Sequence, residues 1–185
     1  LTGAGGHVAI VGGPRSGKSN GLAQIVLAAA LALPPKQLRV GVLDLGGALA
    51  VLDDLPHLRV LARRDQPDLA RRWFDELAAE VDRREAAVAA GGPDHEHDLD
   101  HEHDLGRDQD PDPHHDPHPH PPPKLLTVID GWEQFRVEFP DLVDRVNQLA
   151  QRGLAVGVHL LISAHRWASL RPGLRDALVS RLELR

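Results

Sequence analysis

The chain has 185 residues, of which 42% are hydrophobic, enough for one α/β domain with a full core. It contains no cysteine, which excludes disulfides and thiolate metal sites and fits a reducing compartment. The net charge of −6 is concentrated: residues 94–120 carry ten Asp/Glu and one Arg, and the remainder carries 20 Lys/Arg against 17 Asp/Glu, so no basic block points to nucleic acid.

There is no secretory signal. The longest apolar run, residues 22–33, is interrupted by Gln24 and is too short to span a bilayer, so it reads as a buried helix. The chain begins at Leu1, has no Met and ends at Arg185 within an apolar alternation. It is expected to be an internal piece of a longer polypeptide. Lysine is confined to Lys18, Lys36 and Lys124, while Arg, Ala, Gly and Pro abound, a bias associated with high-GC genomes.

Residues 7–12 (HVAIVG) form an apolar run ending at glycine, which predicts a buried strand. A Gly-rich loop follows at 12–19, then a helix over 18–33 that is apolar nearly all round, as expected of a helix lying against a sheet and beneath other elements. Pro34 and Pro35 stop it. Residues 37–45 (QLRVGVLDL) read as a second strand ended by Gly46 and Gly47, and 57–62 as a short third. Asp65 is a candidate cap for the next helix, with Pro67 in its first turn. Leu69, Trp73, Leu77 and Val81 recur every four residues along that helix, which runs to about Ala90.

Residues 91–123 differ in kind. The hexapeptide Asp-His-Glu-His-Asp-Leu occurs at 94–99 and again at 100–105, and a His/Pro/Asp tract follows. Almost nothing here can be buried, so a disordered insertion is expected. Its eight histidines (positions 95, 97, 101, 103, 114, 115, 118 and 120) are of a type that can hold zinc or nickel. A structural zinc site needs fixed geometry, which a floppy repeat does not supply, and the exact duplication points instead to replication slippage.

Beyond the insertion, residues 125–130 (LLTVID) read as a strand and 141–152 as a helix with Gly153 at its C-terminal cap. Residues 157–163 (GVHLLIS) read as a strand, 174–180 as a short helix and 181–185 as a final strand. Strands alternating with helices imply an α/β fold with a mostly parallel central sheet covered by helices on both faces.

The strongest chemical signal is Gly12-Gly13-Pro14-Arg15-Ser16-Gly17-Lys18-Ser19, which fulfils G-x-x-x-x-G-K-S/T between a strand and a helix. Glycines let backbone amides turn inward around a phosphate chain, and the helix start presents its positive dipole end. Lys18 adds a charge for the β/γ oxygens, and Ser19 offers a hydroxyl to Mg²⁺. The expected phosphate-binding set is this octapeptide with Asn20 behind it and Asp130 opposite. An apolar strand ending in Asp130 is the Walker B pattern, so Ser19 and Asp130 are the expected Mg²⁺ positions.

Hydrolysing members of this class usually place Glu immediately after that Asp; here the residue is Gly131. Glycine can neither orient nor deprotonate water. Glu133 is a substitute catalytic candidate, with a surface carboxylate as the plainer alternative. Ser163 and His165, at the end of the next strand, are candidate sensors of the terminal phosphate, or a strand-end turn. Asp44 either faces the same edge or accepts turn amides, the latter being favoured. Trp73 belongs to a core stripe, and core packing is also the default for Trp132 and Trp167.

The phrases GHVAIVGGPRSGKS, VGVLDLGG, VIDGWEQFRVEF, LAQRGLAVGVHLLISAHRW and LRPGLRDALVSRLELR resemble an FtsK/SpoIIIE-type ATPase domain, and more narrowly the EccC ATPases of type VII (ESX) secretion. The resemblance covers nearly all of 1–185 except the insertion. It implies a RecA-like P-loop NTPase fold, ATP and Mg²⁺ as cofactors, and several such domains in tandem. It also implies a membrane-anchored parent at the cytoplasmic face of an actinobacterial cell membrane. Partners would be other ATPase domains, secretion-system components and secreted substrates. Asp130-Gly131 resembles EccC domains thought to bind nucleotide tightly with little hydrolysis. DNA translocases of the family usually carry Asp-Glu there and Gln-Arg-Pro where this chain has His165-Arg166-Trp167. DNA is therefore the weaker partner, and an active DNA- or protein-translocating ATPase the alternative reading. A small-molecule kinase lacks recognisable acceptor and lid elements here, and an interaction module without nucleotide is opposed by Gly17-Lys18-Ser19. Arg166 and Arg181 are candidates for an arginine supplied to a neighbour.

Overall fold

The computed structural model describes residues 6–91 and 121–185. The disorder expected within 91–123, and the metal binding weighed against replication slippage there, fall for residues 92–120 outside the described residues. Among the described residues no cluster of three or more His, Asp or Glu is arranged to hold a metal ion.

Six strands among the described residues form one sheet: β1 (Val8–Gly12), β2 (Leu38–Asp44), β3 (Leu58–Arg63), β4 (Lys124–Asp130), β5 (Val158–Ala164) and β6 (Ser180–Leu184). Their order is β3-β2-β4-β5-β1-β6, and every pairing is parallel. The chain crosses the sheet between β1 and β2, so β5 lies between the strand that carries the phosphate loop and the strand that ends in Asp130. All parallel strands end at the same edge, which is where an open α/β sheet places its ligands.

Helix α1 (Lys18–Ala32) covers one face, packing Leu22, Val26 and Ala29 against Val40, Val42, Val128 and Leu161. On the other face lie α2 (Pro67–Ala89), α3 (Trp132–Glu138), α4 (Val143–Arg152) and α5 (Pro172–Ala177). Their core is built on Phe74, Leu77, Phe135, Val146 and Ile162. The two cores explain why the central strands read as apolar runs rather than alternations.

Some local expectations shift. Other elements were expected over α1, yet among the described residues its outer side is uncovered and Leu31 is exposed; alanines make that side inexpensive to hydrate. Gln66, not Asp65, precedes α2, and no side chain caps the helix, because Pro67 sets its first position one residue later than a cap at Asp65 requires. Gly153 follows α4 but keeps helical φ, and a single turn (Gly153–Val156) extends the helix to Gly157, where φ is positive. Helix α3 has no counterpart in the sequence expectations. Its seven residues are too few for a periodic signal; Phe135 stacks along the helix on Trp132 (5.4 Å) and Phe139 (5.5 Å), and its tertiary contact with Phe74 of α2 (5.9 Å) holds the helix on the sheet face.

Candidate functional site

The loop from Gly12 to Ser19 emerges from β1 and turns through two residues of positive φ, Arg15 (60°) and Gly17 (90°), before α1 begins at Lys18. Arg15 is the one non-glycine residue with positive φ among the described residues, a strain that a binding loop can store. Gly12 has no room for a side chain: a Cβ there would lie 2.5 Å from Ser16 Oγ and 2.7 Å from the Leu184 carbonyl. The Lys18 ammonium donates to the carbonyls of Gly12 (2.9 Å) and Gly13 (2.6 Å), which folds it over the loop.

Ser19, on the first turn of α1, donates from Oγ to Asp130 Oδ2 at 2.7 Å. Asp130 Oδ1 accepts from Ser163 Oγ at 2.5 Å, and Ser163 Oγ in turn accepts from the Gly131 amide at 2.8 Å. Ser163 is fully buried at the end of β5, and its single proton is committed to Asp130. In this arrangement it positions the aspartate and the turn after it. Asp44, at the end of β2, accepts the amides of Ala48 (3.0 Å) and Leu49 (2.9 Å), the turn role favoured by the sequence.

Gly131 has φ 95°. A side chain there has space, the nearest atom being Gln134 Cβ at 3.7 Å from an added Cβ, but the left-handed backbone would strain it. The turn leads into α3 and places Glu133 in the cavity, not on the open surface that was its plainer reading. Glu133 Oε1 accepts from the His165 amide (2.8 Å) and from Ser169 Oγ (2.6 Å). Burial pushes the Glu133 carboxyl up, but the Ser169 hydroxyl, its own amide and the His165 amide outweigh it, so the group lies below the ordinary carboxylate range. The His165 ring is half exposed, with Nδ1 3.9 Å from Glu133 Oε2.

A cavity of about 370 Å³ gathers these groups, with Arg15, Lys18, Ser19, Asp130, Glu133 and His165 in its wall. Asn20, exposed on the outer side of α1, is not in that wall. A neighbouring cavity of about 620 Å³ adds Arg166 and Ser169. Arg181 stacks on the Trp167 ring at 4.6 Å and pairs with Glu183, while Trp132 is fully buried and donates to the Ser169 carbonyl at 3.2 Å. A cavity of about 400 Å³ lined by Arg39, Arg59 and Trp73 lies at the opposite, amino-terminal edge of the strands, away from these groups.

The residues fit a nucleotide with its metal. Ser16 Oγ is shielded from solvent within the loop and has no hydrogen-bond partner among the described residues, a deficit that a phosphate oxygen satisfies. Ser19 Oγ and the Asp130 carboxylate are adjacent hard oxygen donors of the kind Mg²⁺ prefers. Ser169 belongs to the site as a partner of Glu133 and is absent from the sequence-derived candidates. It lies in no motif, and only the fold returns it to the start of α3.

These features define the class: an α/β P-loop domain with its phosphate-loop motif at the carboxyl edge of a parallel sheet. The sequence profile of the FtsK/SpoIIIE family matches residues 1–185, and the chain belongs to that family. Over its whole length it is 40% identical to the ESX-4 secretion system protein EccC4 of Mycobacterium tuberculosis and 36% identical to the ESX-1 protein EccCb1 of the same organism. It spans 14% and 30% of those two relatives. Among solved structures, the cytoplasmic domain of the Thermomonospora curvata type VII secretion ATPase EccC superposes with a TM-score of 0.79 at 31% identity, over 97% of this chain and 20% of that one. ATPases 2 and 3 of the same protein, in complex with a signal sequence peptide, give 0.79 at 30%, over 97% of this chain and 31% of that one. The expected RecA-like P-loop fold is thereby the observed one, with a sheet that is wholly parallel. No helix among the described residues is long and apolar enough to cross a membrane.

Proposed function

We infer that this domain binds ATP with Mg²⁺ as part of an EccC-like type VII secretion ATPase, and that it hydrolyses ATP slowly or not at all. The observation that carries the binding half is the 2.7 Å contact of Ser19 with Asp130. It unites a phosphate loop and a metal-binding carboxylate that lie 111 residues apart. The loop amides and Lys18 would hold the β- and γ-phosphates, and Ser19 and Asp130 the metal. Bound Mg²⁺ supplies charge neutralisation of the phosphate oxygens.

Weak turnover rests on Gly131. The turn that lets Ser163 grip both the Gly131 amide and Asp130 uses a left-handed residue, so the missing carboxylate and the local backbone go together. Substituting Glu at 131 therefore adds a base and a strain at once, and a gain in hydrolysis there would have to exceed that cost.

The surrounding assembly follows from the relatives. Partners would be further ATPase domains of the same or neighbouring chains, secretion-system components and secreted protein substrates, the last because a signal sequence peptide accompanies the Thermomonospora curvata EccC ATPases 2 and 3. The parent would be membrane-anchored, with this domain at the cytoplasmic face. The alternative, an active FtsK-like translocase acting on DNA or protein, is favoured by family membership and separated by rate.

Thermal denaturation with Mg-ATP tests binding. The midpoint should rise for the unmutated domain and stay unchanged for Lys18→Ala. Phosphate release tests turnover: a kcat near one per second, within the ordinary enzyme range, would overturn the slow-hydrolysis reading and favour the translocase.

A further inference from the structure

One carboxylate of the phosphate cavity has no task in a site that only holds nucleotide. Glu133 shares the wall with Lys18, Ser19 and Asp130 and also faces the neighbouring cavity beside Gly13 and Arg166. Its Oε1 is doubly satisfied by the His165 amide and the Ser169 hydroxyl. Its Oε2 is shielded from solvent and has no hydrogen-bond partner among the described residues. Leaving a buried carboxylate oxygen unpaired is costly, so such an atom calls for a function.

The group that holds Glu133 is built to let go. The Ser169 hydroxyl has one proton and two acceptors in reach, Glu133 Oε1 at 2.6 Å and the Arg166 carbonyl at 2.7 Å. The Ser169 backbone stays anchored in either case, because its carbonyl accepts from Trp132 Nε1 (3.2 Å) and Arg136 Nη1 (3.0 Å). Rotation of one hydroxyl thus exchanges a bond to the carboxylate for a bond within the 166–169 turn. That is a two-state contact between α3 and the segment after β5.

We propose that Glu133 is the water-orienting carboxylate of this domain, in place of the one Gly131 lacks, and that the Ser169 hydroxyl latches it in a resting position, so that hydrolysis runs only when that hydroxyl turns to the Arg166 carbonyl. This rests on the reading that the loop binds Mg-ATP. In the released state Glu133 accepts a hydrogen bond from a water. The water oxygen bonds to the terminal phosphorus while the bond from that phosphorus to the bridging oxygen breaks. The electron pair leaves on the ADP oxygen, and the water's proton passes through Glu133 to the phosphate. The competing account makes Glu133 a structural pin between α3 and the 165–169 turn.

The test measures phosphate release and the Mg-ATP thermal shift side by side for the unmutated domain, Ser169→Ala, Ser169→Thr and the double variant Ser169→Ala/Glu133→Gln. Losing one hydrogen bond to a charged group should raise kcat about tenfold in Ser169→Ala, with KM for ATP and the ATP-induced shift retained. Threonine, which keeps the hydroxyl, should restore the resting rate, and the double variant should lose the gain. A Ser169→Ala rate at or below the unmutated one, with the shift intact, overturns the latch and leaves nucleotide binding standing. A gain that survives Glu133→Gln also overturns it. No thermal shift in the unmutated domain overturns both readings.

Discussion

His7 shows how a single side chain can be decided by its surroundings. It is fully buried at the start of β1, Nδ1 accepts from the Leu160 amide at 2.9 Å, and Nε2 lies 2.8 Å from the Ala150 carbonyl. The amide fixes the tautomer, since Nδ1 must offer a lone pair and Nε2 must carry the proton. Burial lowers the pKa from 6.5, against a smaller upward pull from the Ala150 carbonyl. A lowered histidine pKa means that below about pH 6.5 the unfolded chain takes up a proton that the folded one refuses. Stability should fall by up to about 1.4 kcal/mol per pH unit from pH 6.5 downward. Urea midpoints from pH 7.5 to pH 5.5 check this. His7→Gln should be less stable at pH 7.5 but lose less on acidification, and parallel curves for the two proteins would remove His7 as the cause. The carboxylates held low, Glu80 and Glu133 among them, titrate further down and do not enter this window.

At the scale of elements, α2 is tied to the rest of the fold by a buried cation. Arg84 is only 4% exposed, and its guanidinium serves three acceptors: Glu80 Oε1 (2.7 Å), the Val156 carbonyl (2.8 Å) and the Pro123 carbonyl (2.8 Å). It thereby joins the helix that precedes the insertion to the strand entry that follows it. Arg83 first, and Arg84 after it, overcome burial and bring Glu80 down to about 2. Arg84→Ala leaves Glu80 half-paired and two carbonyls unmet, and should cost about 3–5 kcal/mol in urea denaturation. Arg84→Lys should recover little of that, because an ammonium cannot span the three acceptors of a planar fork. A second tie is the seat of Trp73 on Gly41. A Cβ at 41 would lie 2.2 Å from the indole, while Trp73 Nε1 donates to Thr127 Oγ1 at 3.2 Å. Gly41→Ala should therefore destabilise by about 1–3 kcal/mol through overpacking, and an unchanged midpoint would show that the indole shifts freely.

For the molecule as a whole, local and long-range order were not equally readable. The strands, the long helices and the octapeptide loop were legible because period, apolar runs and glycine placement act over neighbouring residues. Helix α3 was not, because seven residues carry no period and its packing on Phe74 is set by the fold; nor were the grip of Ser163 on Asp130 and the hold of Ser169 on Glu133, because each depends on which strand ends meet. Ser19 meets Asp130 across 111 residues, and Ser163 meets Asp130 across 33. In the unfolded chain these groups have no common address, so a nucleotide that needs all of them binds only the folded state. Its binding free energy must then appear as folding stability. With Mg-ATP at 100 times its dissociation constant the gain is about 2.7 kcal/mol, which should raise the urea midpoint by roughly 1–2 M with the slope unchanged. Asp130→Ala should keep the slope and lose most of the Mg²⁺-dependent part of that rise. If Mg-ATP instead lowered the slope while leaving the midpoint in place, the ligand would be acting on the unfolded ensemble, and a site assembled only by the fold would not account for it.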